Sequence, residues 1–319
     1  MCYSAQIEAD HRKYLRLTGD DVGLHDFYDL FWRRQGDFSI KIPKAVENLF
    51  VQPRDEQENQ IKTLIDAYNT AQASTLEQEL FKQRKRLADA ERGLQVRSSK
   101  KDAESQRIAT GKIEWAKGKL ADLRRSELED RDSRIFPGHY APVLMMENGR
   151  RMVKPMRYLC RLPGKPSFYD SKFPGTYNAG RDNLEGYWAG LFGRSHGIML
   201  ARAFYENVAR HSMEGRALSA GEKPRSVVLE FRPRVPQVML VACLWSRWSA
   251  PGEQDLLSFA AITDEPPAEV AAAGHDRCII PIRPENLGAW LNPDPKNLAA
   301  RYAILDDREQ PYYEHRLAA

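Results

Sequence analysis

One segment of the 319-residue chain constrains its fold most: no proline occurs between Pro53 and Pro137, although the chain has 19. The segment is dense in Glu, Lys, Arg, Gln and Ala, and its charges of both signs nearly balance. Apolar residues recur in it at steps of three, four and seven, which is typical of helices with one apolar stripe. They are Ile61, Leu64, Ile65, Tyr68, Leu76, Leu80, Leu87, Leu94, Ile113, Ala116, Leu120 and Leu123.

This periodicity predicts two or three long helices that form an antiparallel hairpin, with the break at Ser98-Ser99. We expect the hairpin to be an insertion over residues 54–136 within one domain that spans residues 1–319. Two interpretations of the insertion stay open. It is either an arm that binds a protein partner or reaches DNA, or a segment that packs on its own apolar stripe with its charges solvated.

From Pro137 onward, the sequence has short β-prone runs separated by Pro, Gly, Asn and Asp. The runs cover residues 142–146, 227–231, 238–245 and 259–263. We predict a helix over residues 284–291 and a helical piece around residues 7–17. Strands with scattered helices and no βαβ rhythm favour the α+β class.

Composition excludes several classes of protein. No apolar run approaches the ~20 residues that a membrane-spanning helix needs. The four cysteines, Cys2, Cys160, Cys243 and Cys278, lie far apart, which disfavours a disulfide scaffold or a zinc ribbon and fits a reducing cytoplasm. No phosphate-binding glycine loop or metal-ligand spacing occurs, so we expect no cofactor and no metal. The net charge of +4 permits nucleic acid as a partner without requiring it.

Cys2 is the most informative single residue. Removal of the initiator methionine before a small residue would expose a terminal cysteine, whose α-amine (pKa ~8) and thiol (pKa ~8.5) are both nucleophilic near neutral pH. Such a pair can attack one aldehyde twice, first as a Schiff base and then by closing a thiazolidine ring. The alternative is a cysteine that stands at position 2 by chance.

Three further residues could take part in chemistry. His275 follows Gly274 and enters an apolar run, where a loop histidine could move protons. Glu206 follows Phe204 and Tyr205, and an apolar wall would favour its protonated form. Asn178 could orient a substrate through its amide or make an Asx turn. Taken singly, His275 and Glu206 are more readily explained as surface or structural residues, and the two interpretations of Asn178 stay open.

Basic and aromatic residues alternate between Lys154 and Arg181. Single-stranded nucleic acid needs this combination, with cations for phosphates and rings for unstacked bases, although aromatic β-structure with surface arginines gives the same pattern. The residues that we expect to contact DNA are Arg157, Tyr158, Arg161, Tyr177, Arg181 and, further along the chain, Arg277.

These signals occur together in the order of a known family. The chain resembles the SOS response-associated peptidase (SRAP) family, whose members shield abasic sites in single-stranded DNA. The resemblance covers about residues 1–50 and 137–295 and leaves out the proline-free segment. The matching pieces are Met1–Ala5, 155–158 with 162–163 (M-R-W-G-L-x-P), 177–179 (N-A-R-x-E-T), 204–206 (G-F-Y-E-W), 242–245 (A-G-L-W), 259–263, and 275–277 (H-x-R-M-P).

The resemblance implies a function and a fold. Cys2 would crosslink to the ring-opened sugar of an abasic site, Glu206 would act as general acid and base, His275 would shuttle a proton, and Asn178 would position the N-terminal amine. The partner would be single-stranded DNA that contains abasic sites, and the location would be cytoplasmic, near the nucleoid. The family also implies self-processing before its cysteine and a bifurcated, barrel-like, mostly antiparallel sheet surrounded by helices.

The chain departs from the family pattern at four places, namely Gly180, Arg202, Asn207 and Cys278. Gly180 displaces the expected arginine to Arg181, so the acidic residue that follows is either Asp182 or Glu185.

Two other functions stay open beside capture of abasic sites. One is a thiol peptidase that acts on itself or a partner, and the other is a non-enzymatic scaffold that uses the helical insertion.

Overall fold

The computed structural model describes residues 3–8, 10–18 and 23–318, and the chain forms an α+β fold in them. The strands, numbered in chain order, are β1 Ser4–Ile7, β2 Arg134–Ile135, β3 Tyr140–Glu147, β4 Arg150–Tyr158, β5 Asn178–Gly180, β6 His196–Ala209, β7 Ser226–Pro233, β8 Met239–Trp248, β9 Leu256–Asp264, β10 Cys278–Ile279 and β11 Tyr313–Leu317. The α-helices are α1 His11–Thr18, α2 Leu24–Arg34, α3 Lys44–Glu47, α4 Glu56–Val96, α5 Lys100–Arg124, α6 Tyr169–Lys172, α7 Arg210–Met213, α8 Ala268–Ala272, α9 Leu287–Leu291 and α10 Leu298–Asp306.

Five of the strands pair in a closed circuit. Strand β3 is antiparallel to β4, and β4 runs parallel to β9. Strand β9 is antiparallel to β8, β8 is antiparallel to β6, and β6 returns to β3. Each of these strands therefore has hydrogen-bonded neighbours on both sides, which leaves none of them as an open edge.

The long strand β6 makes the sheet bifurcate. Its first half lies between β3 and β8, where Ile198 pairs with both Leu144 and Ala242. Its second half lies between β1 and β7, where Phe204 pairs with both Ala5 and Phe231. The predicted α+β class with a bifurcated, mostly antiparallel sheet is confirmed.

The core fills the space inside this sheet and under its flanking helices. The rings of Phe204 and Phe231 stack with their centroids 5.1 Å apart. Trp290 of α9 is fully buried, and its indole N–H donates to the carbonyl of Gly197 at 2.9 Å. Burying one large apolar side chain contributes about 1.5–3 kcal/mol, so this packing fixes β6, the strand that carries Glu206.

The proline-free segment forms an antiparallel hairpin of two long helices, α4 and α5. The side chain of Asp55 accepts from the backbone N–H of Glu58 at 2.9 Å, and Ser99 caps α5 in the same way. Helix α4 ends at Val96 and α5 begins at Lys100, so the predicted break at Ser98-Ser99 is confirmed. Helix α4 has 41 residues, so it extends about 60 Å at ~1.5 Å per residue.

The other local predictions hold with small differences. The four predicted runs lie in β3, β7, β8 and β9. The expected helix over residues 284–291 begins with a 3₁₀ turn before α9. The helical piece predicted around residues 7–17 was wrong at its start, because Ile7 ends β1 and the helix begins at His11. The division into one domain with an insertion stays a prediction.

The described helices were also compared with the length and apolarity that crossing a bilayer requires. None of them meets that requirement in the part of the chain that the structure describes.

Candidate active site

A buried carboxylate and an imidazole form the centre of the candidate site. Glu206 lies on β6 and is fully buried, and its Oε2 atom lies 3.1 Å from Nε2 of His275. Residues Phe204 and Tyr205, which precede it on the strand, are buried as well. The structure therefore brings together two residues that are 69 positions apart in sequence and that the sequence singled out independently.

The loop before β10 aims the ring of His275 at Glu206. Nδ1 of His275 lies 2.8 Å from the carbonyl oxygen of Arg277. Nδ1 also accepts from the backbone N–H of Arg277 at 3.2 Å. In one tautomer of the neutral ring, Nε2 accepts from the carboxyl group of Glu206, and in the other Nε2–H donates to its carboxylate. Burial lowers the pKa of His275 below its usual value, which favours this neutral form near pH 7.

Gly274 explains why the histidine can sit there. Its φ angle is +94°, in the left-handed region, and a Cβ atom would meet the Cβ of Ser212 at 2.9 Å. A larger residue would be strained in conformation and would clash with α7.

Asn178 lies on β5, next to Ala261 of β9. Its Oδ1 atom accepts a hydrogen bond from the hydroxyl of Tyr158 at 3.5 Å, and both side chains are buried. Tyr158 was expected to contact DNA, and its full burial excludes stacking on a base. Its contact with Asn178 instead fits a role in orienting that amide.

The described beginning of the chain lies beside this site. Ser4 pairs with Tyr205, and β1 is antiparallel to β6, so the N-terminal end of β1 is the end that lies nearest Glu206. The ring of Tyr3 contacts the rings of Phe136 and Tyr177, at centroid distances of 5.8 and 6.4 Å. Cys2, the expected nucleophile, lies outside the described residues.

The three other cysteines are poor nucleophiles. Cys160, Cys243 and Cys278 are buried and not in disulfides. Burial raises the pKa of Cys160 to about 12 and that of Cys243 well above its usual value. Burial, with the charge of Glu206, raises the pKa of Cys278 as well. A thiol held protonated in this way is inert.

The four arginines expected to contact DNA are all paired with carboxylates. Arg157 and Arg161 share Asp170, which Arg157 contacts at 2.8 Å. Arg181 pairs with Asp264 at 3.0 Å and also with Asp306. Arg277 makes two contacts with Asp182, at 2.9 and 3.0 Å. Tyr177 is buried, like Tyr158, so neither of the two tyrosines offers an open ring face.

One departure from the family pattern has a structural reason. A Cβ atom on Gly180 would lie 2.5 Å from Oδ1 of Asp182 and 3.1 Å from Nη1 of Arg277. Gly180 therefore makes room for the ion pair between Asp182 and Arg277. Of the two acidic candidates, Asp182 rather than Glu185 pairs with Arg277. Of the other departures, Arg202 pairs with Glu8 at 2.8 Å, and Asn207 is exposed.

Sequence reasoning missed Arg134, which lies at the edge of the site. Its Nε atom donates to Oγ of Ser4 at 3.0 Å, and its guanidinium lies 3.8 Å from the ring centre of Tyr205. No described carboxylate lies within ion-pair distance of it. Burial lowers the pKa of Arg134. The residue stands within the segment assigned to the insertion, so no motif pointed to it.

Comparison with known proteins identifies the family. The model of the family described as SOS response associated peptidase (SRAP) matches residues 97–317, more than half of the chain. A search of curated proteins found no match.

Three solved structures are similar at low identity. A protein from Bordetella bronchiseptica is 16% identical, with 61% of this chain and 90% of that chain covered and a TM-score of 0.46. One from Bacteroides thetaiotaomicron is 12% identical, with 59% and 78% covered and a TM-score of 0.46. A phage-related protein from Bordetella bronchiseptica is 19% identical, with 61% and 85% covered and a TM-score of 0.44.

Proposed function

The chain belongs to the SOS response-associated peptidase (SRAP) family, and we propose that it captures abasic sites in single-stranded DNA as a thiazolidine on Cys2. The observation that carries this proposal is the contact between Glu206 and His275, a buried carboxylate 3.1 Å from an imidazole. A proton held between two such groups can be delivered to a leaving hydroxyl and taken back from a thiol.

Chain connectivity supports the role of Cys2. Ser4 is paired with the residue that precedes Glu206, and β1 points its N-terminal end toward Glu206. The proposal assigns the nucleophile to Cys2, which stands two positions before Ser4 in the sequence. The three described cysteines are buried with raised pKa values, which leaves Cys2 as the candidate nucleophile.

The reaction balances without a cofactor. The α-amine of Cys2 attacks C1′ of the ring-opened sugar, and the carbinolamine loses water when the Glu206–His275 pair supplies a proton to its hydroxyl. This leaves an iminium ion. The thiol then adds to its carbon, and the thiol proton returns to the pair, so the nitrogen ends as a neutral secondary amine and the pair regains the proton that it gave. One aldehyde and one aminothiol thus give one thiazolidine and one water. Asn178, oriented by Tyr158, would hold the amine.

Two features would hold the DNA, one at the edge of the site and one around α6. Arg134 offers a phosphate a cation that no described carboxylate neutralises. Around α6, Phe168 and Phe173 are exposed, and Lys165 and Lys172 lie over the ring of Tyr169. Exposed rings beside lysines suit unstacked bases and their phosphates. We therefore place base contacts on residues 165–173 rather than on Tyr158 and Tyr177.

The test is a mass measurement on the purified protein. Incubation with a 20-nucleotide single strand that carries one abasic site should give an adduct equal to protein plus DNA minus one water. A strand with the tetrahydrofuran analogue, which has no aldehyde, is the matched control and should give none. Cys2→Ala should abolish the adduct. An adduct that persists in Cys2→Ala, or no adduct from a protein with a free Cys2, contradicts the proposal.

The same pair could support self-processing, since Glu206 and His275 would serve a thiol that attacks the peptide bond before it. A chain extended by a short leader before Cys2 tests this. Removal of the leader in the parent but not in Glu206→Gln, seen by intact mass, is the expected result. Removal in both variants would assign the cleavage to a host enzyme.

A further inference from the structure

The balanced charges of the helical hairpin are separated along its length. Residues 82–112, which form its outer half and which we call the distal arm, contain ten Lys and Arg and four Asp and Glu, a net charge of +6. The first part of α4, residues 56–81, carries a net charge of −4. The distal arm alone thus exceeds the net charge of +4 of the whole chain.

We propose that the distal arm binds the phosphate backbone of the DNA that flanks the captured site. This inference rests on the proposed function in one respect, namely that DNA is the partner. A concentrated positive surface on a near-neutral protein is the electrostatic signature of nucleic-acid binding.

The cations of the distal arm are available to a ligand. Six of them are exposed and have no ion pair with any described carboxylate, namely Lys82, Arg84, Lys85, Arg97, Lys100 and Lys101. Two other arginines pair locally, Arg92 with Asp89 and Arg107 with Glu104. These pairs join neighbours on an exposed helix surface, where an ion pair contributes little, so phosphates could replace them.

The distal arm presents these cations on a well-packed scaffold. Its two helices meet through small buried residues, Ala90 and Ala109. Gly93 allows the side chain of Asp102 to approach within 2.9 Å of where a Cβ atom would be. Arg86 donates to Oγ of Ser105 across the pair at 2.9 Å. Helix positions 82–96 span about 22 Å, the length of roughly six base pairs at ~3.4 Å per step.

The base of the hairpin is joined directly to the candidate site. Helix α5 ends at Arg124, and a 3₁₀ turn over Asp130–Ser133 leads into β2, which pairs with β1. Arg134, the first residue of β2, contacts Ser4. The arm and the site are therefore linked by a continuous stretch of chain, namely the rest of α5 to Arg124 and the segment that leads into β2.

The chemistry of the distal arm favours DNA over a membrane surface. A helix that lies on a bilayer needs a face of large apolar residues beside its cations. Within residues 82–112, the only large apolar side chain that the structure shows as exposed is Val96. An acidic protein would be a different ligand, and the experiment separates it from DNA.

The experiment compares two variants with the same change in charge. In the arm variant, R84Q, K85Q, R97Q, K100Q and K101Q remove five of the six exposed cations. In the control variant, R150Q, R194Q, K223Q, R225Q and K296Q remove five exposed cations from the rest of the chain, which also lack ion pairs with described carboxylates. Glutamine is a good helix former, and circular dichroism at 222 nm checks that each variant folds.

The readout is affinity for intact DNA as a function of salt, on a 40-nucleotide strand and on a 40-base-pair duplex without abasic sites. Each phosphate contact contributes about 0.7 to the slope for single strands and about 0.9 for duplex. We expect the arm variant to lower the slope by about 2–4 on the DNA form that it binds, and the control variant to leave it unchanged. Equal slopes in the two variants would overturn the proposal.

Two further measurements keep the outcomes distinct. The arm variant, at saturating abasic DNA, should form as much adduct as the parent, because the arm holds DNA and does not react. If the parent forms no adduct, the salt slopes on intact DNA still decide the proposal. If the arm variant loses binding to phosphatidylserine vesicles but keeps the slope of the parent on DNA, the arm binds membranes and the proposal is wrong.

Discussion

The cations beside the candidate site and those of the distal arm differ in how they are neutralised. Arg157, Arg161, Arg181 and Arg277 stand close to the site, yet each is held by at least one aspartate. The distal arm has fewer partners for more cations. Proximity to a site therefore does not make an arginine available to DNA. We infer that the paired arginines fix loop geometry, while the arm supplies attraction.

The largest expected effect is on the rate of adduct formation, without a change in the affinity for DNA. Replacing the buried carboxylate by Glu206→Gln removes a group that can gain and lose a proton, and such groups contribute roughly 10²–10⁴-fold to a rate. We expect single-turnover adduct formation to slow by about that factor. The affinity for intact DNA should stay the same, since Glu206 is fully buried.

Glu230→Gln is the matched control, because Glu230 is a buried carboxylate on the adjacent strand β7 that pairs with Arg316. It should leave the rate of adduct formation within severalfold of the parent. If the two variants slow the reaction equally, Glu206 acts only through the stability of the sheet.

The second effect is a loss of stability in acid, caused by a histidine that is buried in the sheet. His196 on β6 is buried against Trp290, and it accepts from the backbone N–H of Gly193 at 2.8 Å. Burial lowers the pKa of His196 to about 3. In the unfolded chain, where the histidine pKa is ~6.5, this residue binds a proton as the pH falls, whereas in the folded state it stays neutral. The free energy of unfolding therefore falls as the pH drops below about 6.5.

Between pH 7 and pH 5, this one group should remove about 2 kcal/mol from the free energy of unfolding. Asp170 and Asp264, whose pKa values are lowered by arginines, titrate below this window. Burial also lowers the pKa values of His139 and His275, which add to the loss in the same direction. Denaturant titrations followed by tryptophan fluorescence measure the loss, and His196→Gln should reduce it by about 2 kcal/mol. An equal loss in His196→Gln would assign the acid sensitivity to other groups.

Local patterns predicted the elements well, because apolar periodicity and proline placement act within a few residues. The hairpin break at Ser98-Ser99 and the four strand runs follow from such signals. The start of the first helix did not, since pairing of Ile7 with Ala201 across the sheet extends β1 to that residue. Long-range pairing of this kind leaves no mark in local sequence.

The candidate site was predictable in part. Motif order pointed to Glu206 and His275, which the structure places in contact. The pairing of Arg277 with Asp182 and the burial of Tyr158 depend on tertiary neighbours, so counting basic and aromatic residues overstated the DNA surface near the site. Arg134 escaped notice for the same reason, because only folding brings it to Ser4.

A smaller effect tests whether the arm can be stabilised independently of the site. Gly111 lies inside α5, and a Cβ atom there would meet no atom within 4 Å. Gly111→Ala should stabilise the hairpin by about 0.5–1 kcal/mol through helix propensity and the entropy of the unfolded chain. Thermal melting followed at 222 nm should shift upward, and the rate of adduct formation should not change.

The contrasting variant is Gly197→Ala on β6, where a Cβ atom would lie 2.9 Å from Cγ1 of Val143 and 3.2 Å from Sγ of Cys243. It should destabilise the sheet and slow adduct formation. A Gly111→Ala protein that melts earlier than the parent would show that this position of α5 is packed in solution.

The smallest effect is a gain in affinity for DNA when two paired arginines lose their shared carboxylate. Asp170 neutralises both Arg157 and Arg161, so Asp170→Asn should release positive charge beside the site and tighten binding of intact single-stranded DNA about threefold, in line with the ~0.2–1 kcal/mol of a partly exposed ion pair. Asp255→Asn, which removes an exposed carboxylate with no ion pair to a described cation, gives the same change in net charge and should shift affinity less. Equal tightening in the two variants would mean that net charge, rather than release of these two arginines, determines the affinity for DNA. The distinction between paired and available cations would then be wrong for the site.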